Sequence, residues 1–202
     1  MALAHEKLEL AGSDQKYVVV RNALHPELCK LLANTMYIIK EAKYHLDKSS
    51  PLDLDIYADS QIRTNCFSTY GAPANEALLL TVQPIVERVW GRDMYPTYSF
   101  ARIYWRGAAL EKHTDRAACE YSVSTCIDVS GGEPWPIWFG GDEVTLNPGD
   151  LVTYRGMEVE HWRDPCPCRQ QVQIFLHYVA QDGPHADQKF DRRRRLALKT
   201  LE

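Results

Sequence analysis

The sequence lacks the features that would place it in a membrane or outside the cell. No apolar run approaches the roughly 20 residues that a membrane-spanning helix needs. The first ten residues, MALAHEKLEL, have neither the basic start nor the long apolar centre of a signal peptide. No internal repeat or low-complexity segment is present. We therefore expect a cytoplasmic protein with no membrane partner.

The chain also lacks an excess of positive charge. It carries 23 Lys and Arg against 27 Asp and Glu, for a formal net charge of −4. This balance does not favour nucleic acid, so we expect a peptide or a small molecule as the partner. The strongest basic run, Arg192 to Arg195, lies close to Asp187 and Asp191, which is typical of a solvated terminus.

The six cysteines do not form a compact disulfide framework. They are scattered along the chain, which favours free thiols in a reducing compartment. Their positions are Cys29, Cys66, Cys119, Cys126, Cys166 and Cys168. The close pair at 166 and 168 lacks the Cys-x-x-Cys spacing of redox or zinc sites, so a structural loop is expected there.

The 202 residues suffice for one domain, and their patterns divide the chain into three parts. In residues 1–95 the pattern predicts a short strand and two supporting helices, at about 25–43 and 75–91. The polar stretch between the helices, at 49–71, is a possible lid over the site. Residues 96–180 predict a core of short strands. Residues 181–202 form the basic C-terminal tail.

Two predicted strands have one apolar and one polar face, because successive side chains of a strand point to opposite sides. In YSFARIYWR, Arg102 and Tyr104 lie opposite Ile103, and in RQQVQIFLHYV, Gln171 and His177 lie opposite the apolar face. Packing helices outside a barrel would turn the polar faces into a ligand cavity. A mainly β (α+β) jelly roll with supporting N-terminal helices is therefore predicted.

A candidate metal site is formed by the triplet His113-x-Asp115 together with His161. His161 is expected to point inward, on the apolar face that it shares with Val159. Two imidazoles and one carboxylate suit ferrous iron and leave three coordination positions open. A structural zinc site would normally close itself with a fourth protein ligand. The set therefore indicates chemistry, although a lone inward histidine is often only a core residue.

Four segments of the sequence carry a resemblance to a known family: YSFARIYWRGAALEKHTDR, LNPGDLVTY, EHW and QVQIFLHYV. They resemble the iron(II)/2-oxoglutarate-dependent oxygenases, particularly their prolyl 4-hydroxylase-like branch. It implies a double-stranded β-helix that uses Fe(II), 2-oxoglutarate and O2. It also implies that His113, Asp115 and His161 are the metal ligands and catalytic residues, and that Tyr104 contacts 2-oxoglutarate.

The activity implied by the resemblance is hydroxylation of an unactivated C–H bond, with release of succinate and CO2. A prolyl residue or a proline-like molecule is the expected substrate. Two alternatives stay open: a metal-dependent cupin enzyme that does not use 2-oxoglutarate, and a jelly-roll binding module without catalysis.

One position departs from the family pattern. The last strand of these enzymes usually carries a basic residue for the distal carboxylate of 2-oxoglutarate, and Gln171 stands at the matching position. Arg169 shares its strand face, and Arg102 lies on the same face as Tyr104. Because an arginine can hold a carboxylate through two hydrogen bonds, we expect Arg169, with Arg102 as the second candidate, to supply the charge.

Overall fold

Two antiparallel sheets and two long helices make up most of the computed structural model, which describes residues 11–12, 14–45 and 65–197. The helices are α1 (Pro26–His45) and α2 (Pro73–Trp90). The strands are β1 (Tyr17–Val20), β2 (Cys66–Tyr70), β3 (Met94–Trp105), β4 (Leu110–His113), β5 (Tyr121–Ser130), β6 (Ile137–Phe139), β7 (Asp142–Val144), β8 (Leu151–Arg155), β9 (His161–Arg163) and β10 (Gln170–Ala180). The larger sheet has the order β1-β8-β5-β10-β3-β2, and the smaller sheet has the order β4-β9-β6-β7.

The outer face of the larger sheet packs against both helices. The apolar sides of β3 and β10, including Ile103, Val172 and Ile174, join the helices in one buried cluster. The Tyr178 hydroxyl donates to the carbonyl of Leu79 in α2 at 2.7 Å. A proline inside a helical pattern predicts a bend or an interruption, but helix α2 continues through Pro84. Alternation along the strands therefore produces the helix-covered face that the sequence predicts.

The opposite face of the larger sheet points toward the smaller one. Arg102 and Tyr104 on β3, with Phe175 and His177 on β10, are buried there, and Phe175 and Tyr104 share an apolar cluster with Leu110 of β4. A second cluster joins β6 to β5 and β8. The polar strand faces are therefore enclosed between the sheets, as expected.

Two connections differ from their predictions. The turn sequence Asn-Pro-Gly-Asp at 147–150 predicts antiparallel neighbours on either side, but β7 pairs with β6, whereas β8 pairs with β1 and β5. The turn carries the chain from one sheet to the other. The proposed lid falls partly on residues 46–64, which lie outside the described residues, while residues 66–70 form edge strand β2. That end of the stretch is sheet because its backbone pairs with β3.

The described part of the C-terminal segment, residues 181–197, is only partly the solvated tail that its composition indicates. Arg193 is buried, and its Nη2 atom lies 2.6 Å from the equally buried carboxylate of Glu76 in α2. The backbone N–H of Ala197 donates to the same carboxylate. Arg192, Arg194 and Arg195 are exposed, as the sequence suggests. Only one arginine of the run is therefore structural, because it alone meets an acidic partner inside the protein.

Replacing Arg193 with methionine should lower the free energy of unfolding by about 3–5 kcal/mol, because the substitution leaves the Glu76 carboxylate buried without its cation. Urea denaturation would measure the change. Arg194→Met removes the same charge from an exposed position and should stay within about 0.5 kcal/mol of wild type. Equal stability of the two variants would contradict a structural role for the C-terminal segment.

Two further expectations can be compared with the structure. All six cysteines are free thiols, as the sequence predicts. Among the described residues, no helix combines the length and the apolar character that crossing a membrane requires.

Candidate metal centre

Two histidines face each other across neighbouring strands of the smaller sheet. His113 ends β4 and His161 begins β9, and the two residues pair directly in the antiparallel register. Their ring centroids are 4.3 Å apart. Nδ1 of His113 lies 2.7 Å from the carbonyl of Glu111, and Nδ1 of His161 lies 3.0 Å from the carbonyl of Val159. These contacts orient both rings and leave the Nε2 atoms to face a ligand.

Asp115 completes the group from the loop after β4. Its Oδ1 atom is 3.6 Å from Nε2 of His113 and 3.6 Å from Nε2 of His161. The structure thus brings the three predicted ligands together, with their donor atoms within 4.8 Å of one another. Imidazole nitrogen and carboxylate oxygen are suitable donors for ferrous iron, so the residues fit that metal.

The environment favours the metal-binding form of His161. Burial lowers the pKa of this ring, although Asp115 opposes the shift. A neutral imidazole binds a metal through its unprotonated nitrogen, whereas a protonated one cannot. The alternation after Gly156 predicts a strand from residue 157 to His161, but residues 156–158 form a turn and β9 begins at His161 itself. The inward direction of the side chain is nevertheless as predicted.

A cavity of about 350 Å³ opens beside the three residues. Its walls combine aromatic rings with two arginines, and they include Tyr98, Phe100, Phe175, Arg102 and Arg116. Arg102 donates through Nη1 to the Tyr104 hydroxyl at 3.0 Å. Of the predicted pair, Arg102 therefore lines the cavity beside the candidate metal centre, and Tyr104 is hydrogen-bonded to it.

The structure does not place Arg169 in the cavity. It precedes β10 on the surface, where its side chain is exposed and its backbone N–H donates to the carbonyl of Gly131. The role of Arg169 in binding 2-oxoglutarate stays a prediction, and because Arg169 lies outside β10, strand alternation does not set the direction of its side chain. Gln171 is buried, but its side-chain amide bonds to the backbone N–H and carbonyl of Trp135.

Sequence reasoning missed Arg163, which is buried with 1% exposure on β9. Its Nη1 donates to the carbonyls of Trp135 and Pro136. Within the described chain, Nε and Nη2 of Arg163 have no hydrogen-bond partner. Burial lowers the pKa of Arg163, and neighbouring Tyr104 acts in the opposite direction. The alternation of side chains along a strand could have revealed Arg163, because it lies two residues after His161 and therefore shares its strand face.

Gln173 adds to this buried polar region. It is fully buried, and within residues 11–12, 14–45 and 65–197 neither atom of its side-chain amide has a partner. The strand registers pair it with Arg102 on one side and with Cys126 on the other. Each unsatisfied buried polar group costs about 1–3 kcal/mol. A polar ligand between the sheets would remove part of that cost.

His177 lies in the cavity wall behind Asp115. Nδ1 of His177 is 2.9 Å from the Ser122 hydroxyl, which donates to Asp115 Oδ2 at 2.8 Å. Burial lowers the pKa of His177 to about 4, so the ring is neutral at neutral pH. Asp115, Cys119 and His177 form a second group of possible metal donors, but this group shares Asp115 with the first.

Comparison with known proteins shows a shared fold. No protein-family model and no curated protein matches the sequence. A prolyl-4-hydroxylase from Pseudomonas putida matches with 14% sequence identity and a TM-score of 0.61, over 83% of this chain and 94% of that one. The non-heme α-ketoglutarate-dependent carbocyclase SnoK from nogalamycin biosynthesis matches with 11% identity and a TM-score of 0.65, over 84% and 81% of the two chains. HygX from Streptomyces hygroscopicus, solved with nickel and 2-oxoglutarate bound, matches with 9% identity and a TM-score of 0.61, over 83% and 84%.

Proposed function

We propose that this protein is an iron(II)- and 2-oxoglutarate-dependent oxygenase built as one double-stranded β-helix domain. The observation that carries the proposal is the convergence of His113 Nε2, His161 Nε2 and Asp115 Oδ1, with both Nδ1 atoms held by backbone carbonyls. The alternation of the chain between two sheets from β3 to β10 supports the fold assignment. The bound ligands of HygX support the choice of cofactors.

His113, Asp115 and His161 would hold Fe(II) through two nitrogens and one oxygen. Three protein ligands leave positions for a co-substrate and dioxygen, which a closed four-ligand site would not. The bound iron would couple oxidative decarboxylation of 2-oxoglutarate, to succinate and CO2, to hydroxylation of a C–H bond. The protein would contribute by fixing the donor geometry, orienting the substrate and enclosing the site between two sheets.

We assign the distal carboxylate of 2-oxoglutarate to Arg163, in place of Arg169. Arg163 is a buried cation with two unpartnered nitrogens, and an unpaired buried charge is costly. Its planar fork suits a carboxylate. The Tyr104 hydroxyl on β3 would add a hydrogen bond. In this arrangement Arg163 on β9 supplies the positive charge that the uncharged Gln171 cannot supply. The side-chain amide of Gln171 is already bonded to the backbone of Trp135.

A prolyl residue or a proline-like molecule is the substrate that we propose. The rings of Tyr98, Phe100 and Phe175 line the cavity and suit an apolar ring of that size. The Pseudomonas putida prolyl-4-hydroxylase shares the fold, which supports the proposal. A peptide or a free small molecule can present such a group.

The purified protein should convert 2-oxoglutarate to succinate in air when Fe(II) is supplied, and removal of the metal with a chelator should stop the conversion. Succinate measured by mass spectrometry, together with metal analysis, tests the proposal. Metal binding without succinate would favour a cupin enzyme. Absence of metal binding would favour a binding module and contradict the proposal.

A further inference from the structure

A hydroxyl and a histidine lie directly behind the carboxylate that faces the two metal-ligand histidines. Ser122 is fully buried on β5, and its hydroxyl donates to Oδ2 of Asp115 at 2.8 Å. His177 on β10 places Nδ1 at 2.9 Å from the same hydroxyl. The other carboxylate oxygen, Oδ1, is the one that lies 3.6 Å from both Nε2 atoms. The two oxygens of Asp115 therefore have different surroundings.

The hydrogen bonds around Ser122 require a donor to its oxygen if its own proton goes to Asp115. A serine hydroxyl carries one proton, while the Asp115 carboxylate and the carbonyl of Cys119, at 3.2 Å, can only accept. His177 can donate to the Ser122 oxygen when Nδ1 carries the ring proton, and the Tyr154 hydroxyl is another side-chain partner of Ser122. With His177 as the donor, the hydrogen bonds run from His177 to Ser122 and from Ser122 to Asp115.

The backbone leaves little space around this chain of hydrogen bonds. A Cβ atom at Gly156 would overlap Asp115 Oδ2 and the Cys119 carbonyl and would lie 2.9 Å from the Ser122 hydroxyl. The Asp115 backbone N–H also donates to the Gly156 carbonyl at 2.8 Å. Asp115 lies in a loop, so sheet pairing does not fix its side-chain rotation. A partner for Oδ2 can fix that rotation.

We propose that His177 and Ser122 are positioning residues that fix the side chain of Asp115 so that Oδ1 is the oxygen offered to the metal. This inference rests on the proposed function. Partners that orient a metal-ligating carboxylate typically contribute about 10- to 100-fold to metal affinity. Neither residue would itself bind the metal or the co-substrate.

The test compares Ser122→Ala with Ser124→Ala, which removes a hydroxyl two residues along the same face of the same strand. Ser124 is fully buried, and within the described residues its hydroxyl has no partner. Calorimetric titration with Co²⁺ should show a loss of affinity of about tenfold or more in Ser122→Ala and wild-type affinity in Ser124→Ala. Circular dichroism would establish that both variants fold.

A second pair of variants tests the direction of donation. The side-chain amide of His177→Asn can place an N–H near the position of Nδ1, whereas His177→Phe cannot donate. Co²⁺ affinity should therefore be largely retained in the asparagine variant and fall in the phenylalanine variant. Equal affinities of Ser122→Ala and Ser124→Ala, or of the two His177 variants, would overturn the inference alone. Failure of the wild type to bind Co²⁺ would overturn the proposed function and this inference together.

Discussion

Alanine substitution of His113, Asp115 or His161 should abolish succinate formation and weaken Co²⁺ binding by about 100-fold or more, because each change removes one of the three proposed metal ligands. Among the described residues, this group consists of these three donors, so the loss of any one leaves two. Calorimetric titration with Co²⁺ and mass-spectrometric measurement of succinate would give the two values. Metal binding is the more direct measure, since it does not depend on knowing the substrate.

Matched controls separate loss of a ligand from loss of a side chain. His185→Ala and Asp164→Ala remove the same chemical groups from positions that do not line the cavity, and both should behave as wild type. Asp115→Asn keeps the shape of the side chain but removes its charge, so it should bind Co²⁺ more weakly than wild type. Wild-type succinate formation by Asp115→Ala, with unchanged Co²⁺ affinity, would contradict the assignment of the metal centre.

Replacing Arg163 with methionine should weaken 2-oxoglutarate binding at least about tenfold. Hydrogen bonds to a charged group contribute about 1.5–3 kcal/mol, and about 1.4 kcal/mol corresponds to a factor of ten. Co²⁺ affinity should remain close to wild type, because Arg163 is not among the converging donors. Calorimetric titration of the Co²⁺-loaded protein with 2-oxoglutarate would measure the effect.

The arginine variants also distinguish between the candidate cations. Arg169→Ala removes an exposed charge and should leave 2-oxoglutarate affinity unchanged. Arg163→Lys keeps the charge but loses the planar fork, so it should lie between wild type and Arg163→Met. A large loss in Arg102→Ala with none in Arg163→Met would place the cation on β3. No loss in any of these variants would favour an enzyme that does not use 2-oxoglutarate.

The strand faces were predictable because alternation is a local property. In β3 and β10, the direction of each side chain follows from its position relative to its neighbours, so Arg102, Tyr104 and His177 were expected on the inward face, where the structure places them. The spacing of His113 and Asp115 is also local. That His161 would lie close to both residues was expected because two histidines and one carboxylate suit a metal ion. This proximity results from the pairing of β4 with β9.

Long-range contacts account for what the sequence did not reveal. The composition of the arginine run does not show that Arg193 meets Glu76, which is 117 residues away in the chain. Similarly, the choice between Arg163 and Arg169 depends on where β9 ends and β10 begins, and strand ends are set by pairing with other strands.

The sequence by itself thus determined the alternating strand faces, the supporting helices and the chemical types of the candidate metal ligands, because these properties extend over only a few neighbouring residues. Only the tertiary structure showed that Arg163 is buried with two nitrogens that have no hydrogen-bond partner among the described residues, and that Ser122 and His177 lie behind Asp115. Burial and hydrogen bonding of a side chain depend on strands that are distant in sequence and adjacent in space. That distance is why local patterns indicated the candidate metal ligands but not the residues that surround them.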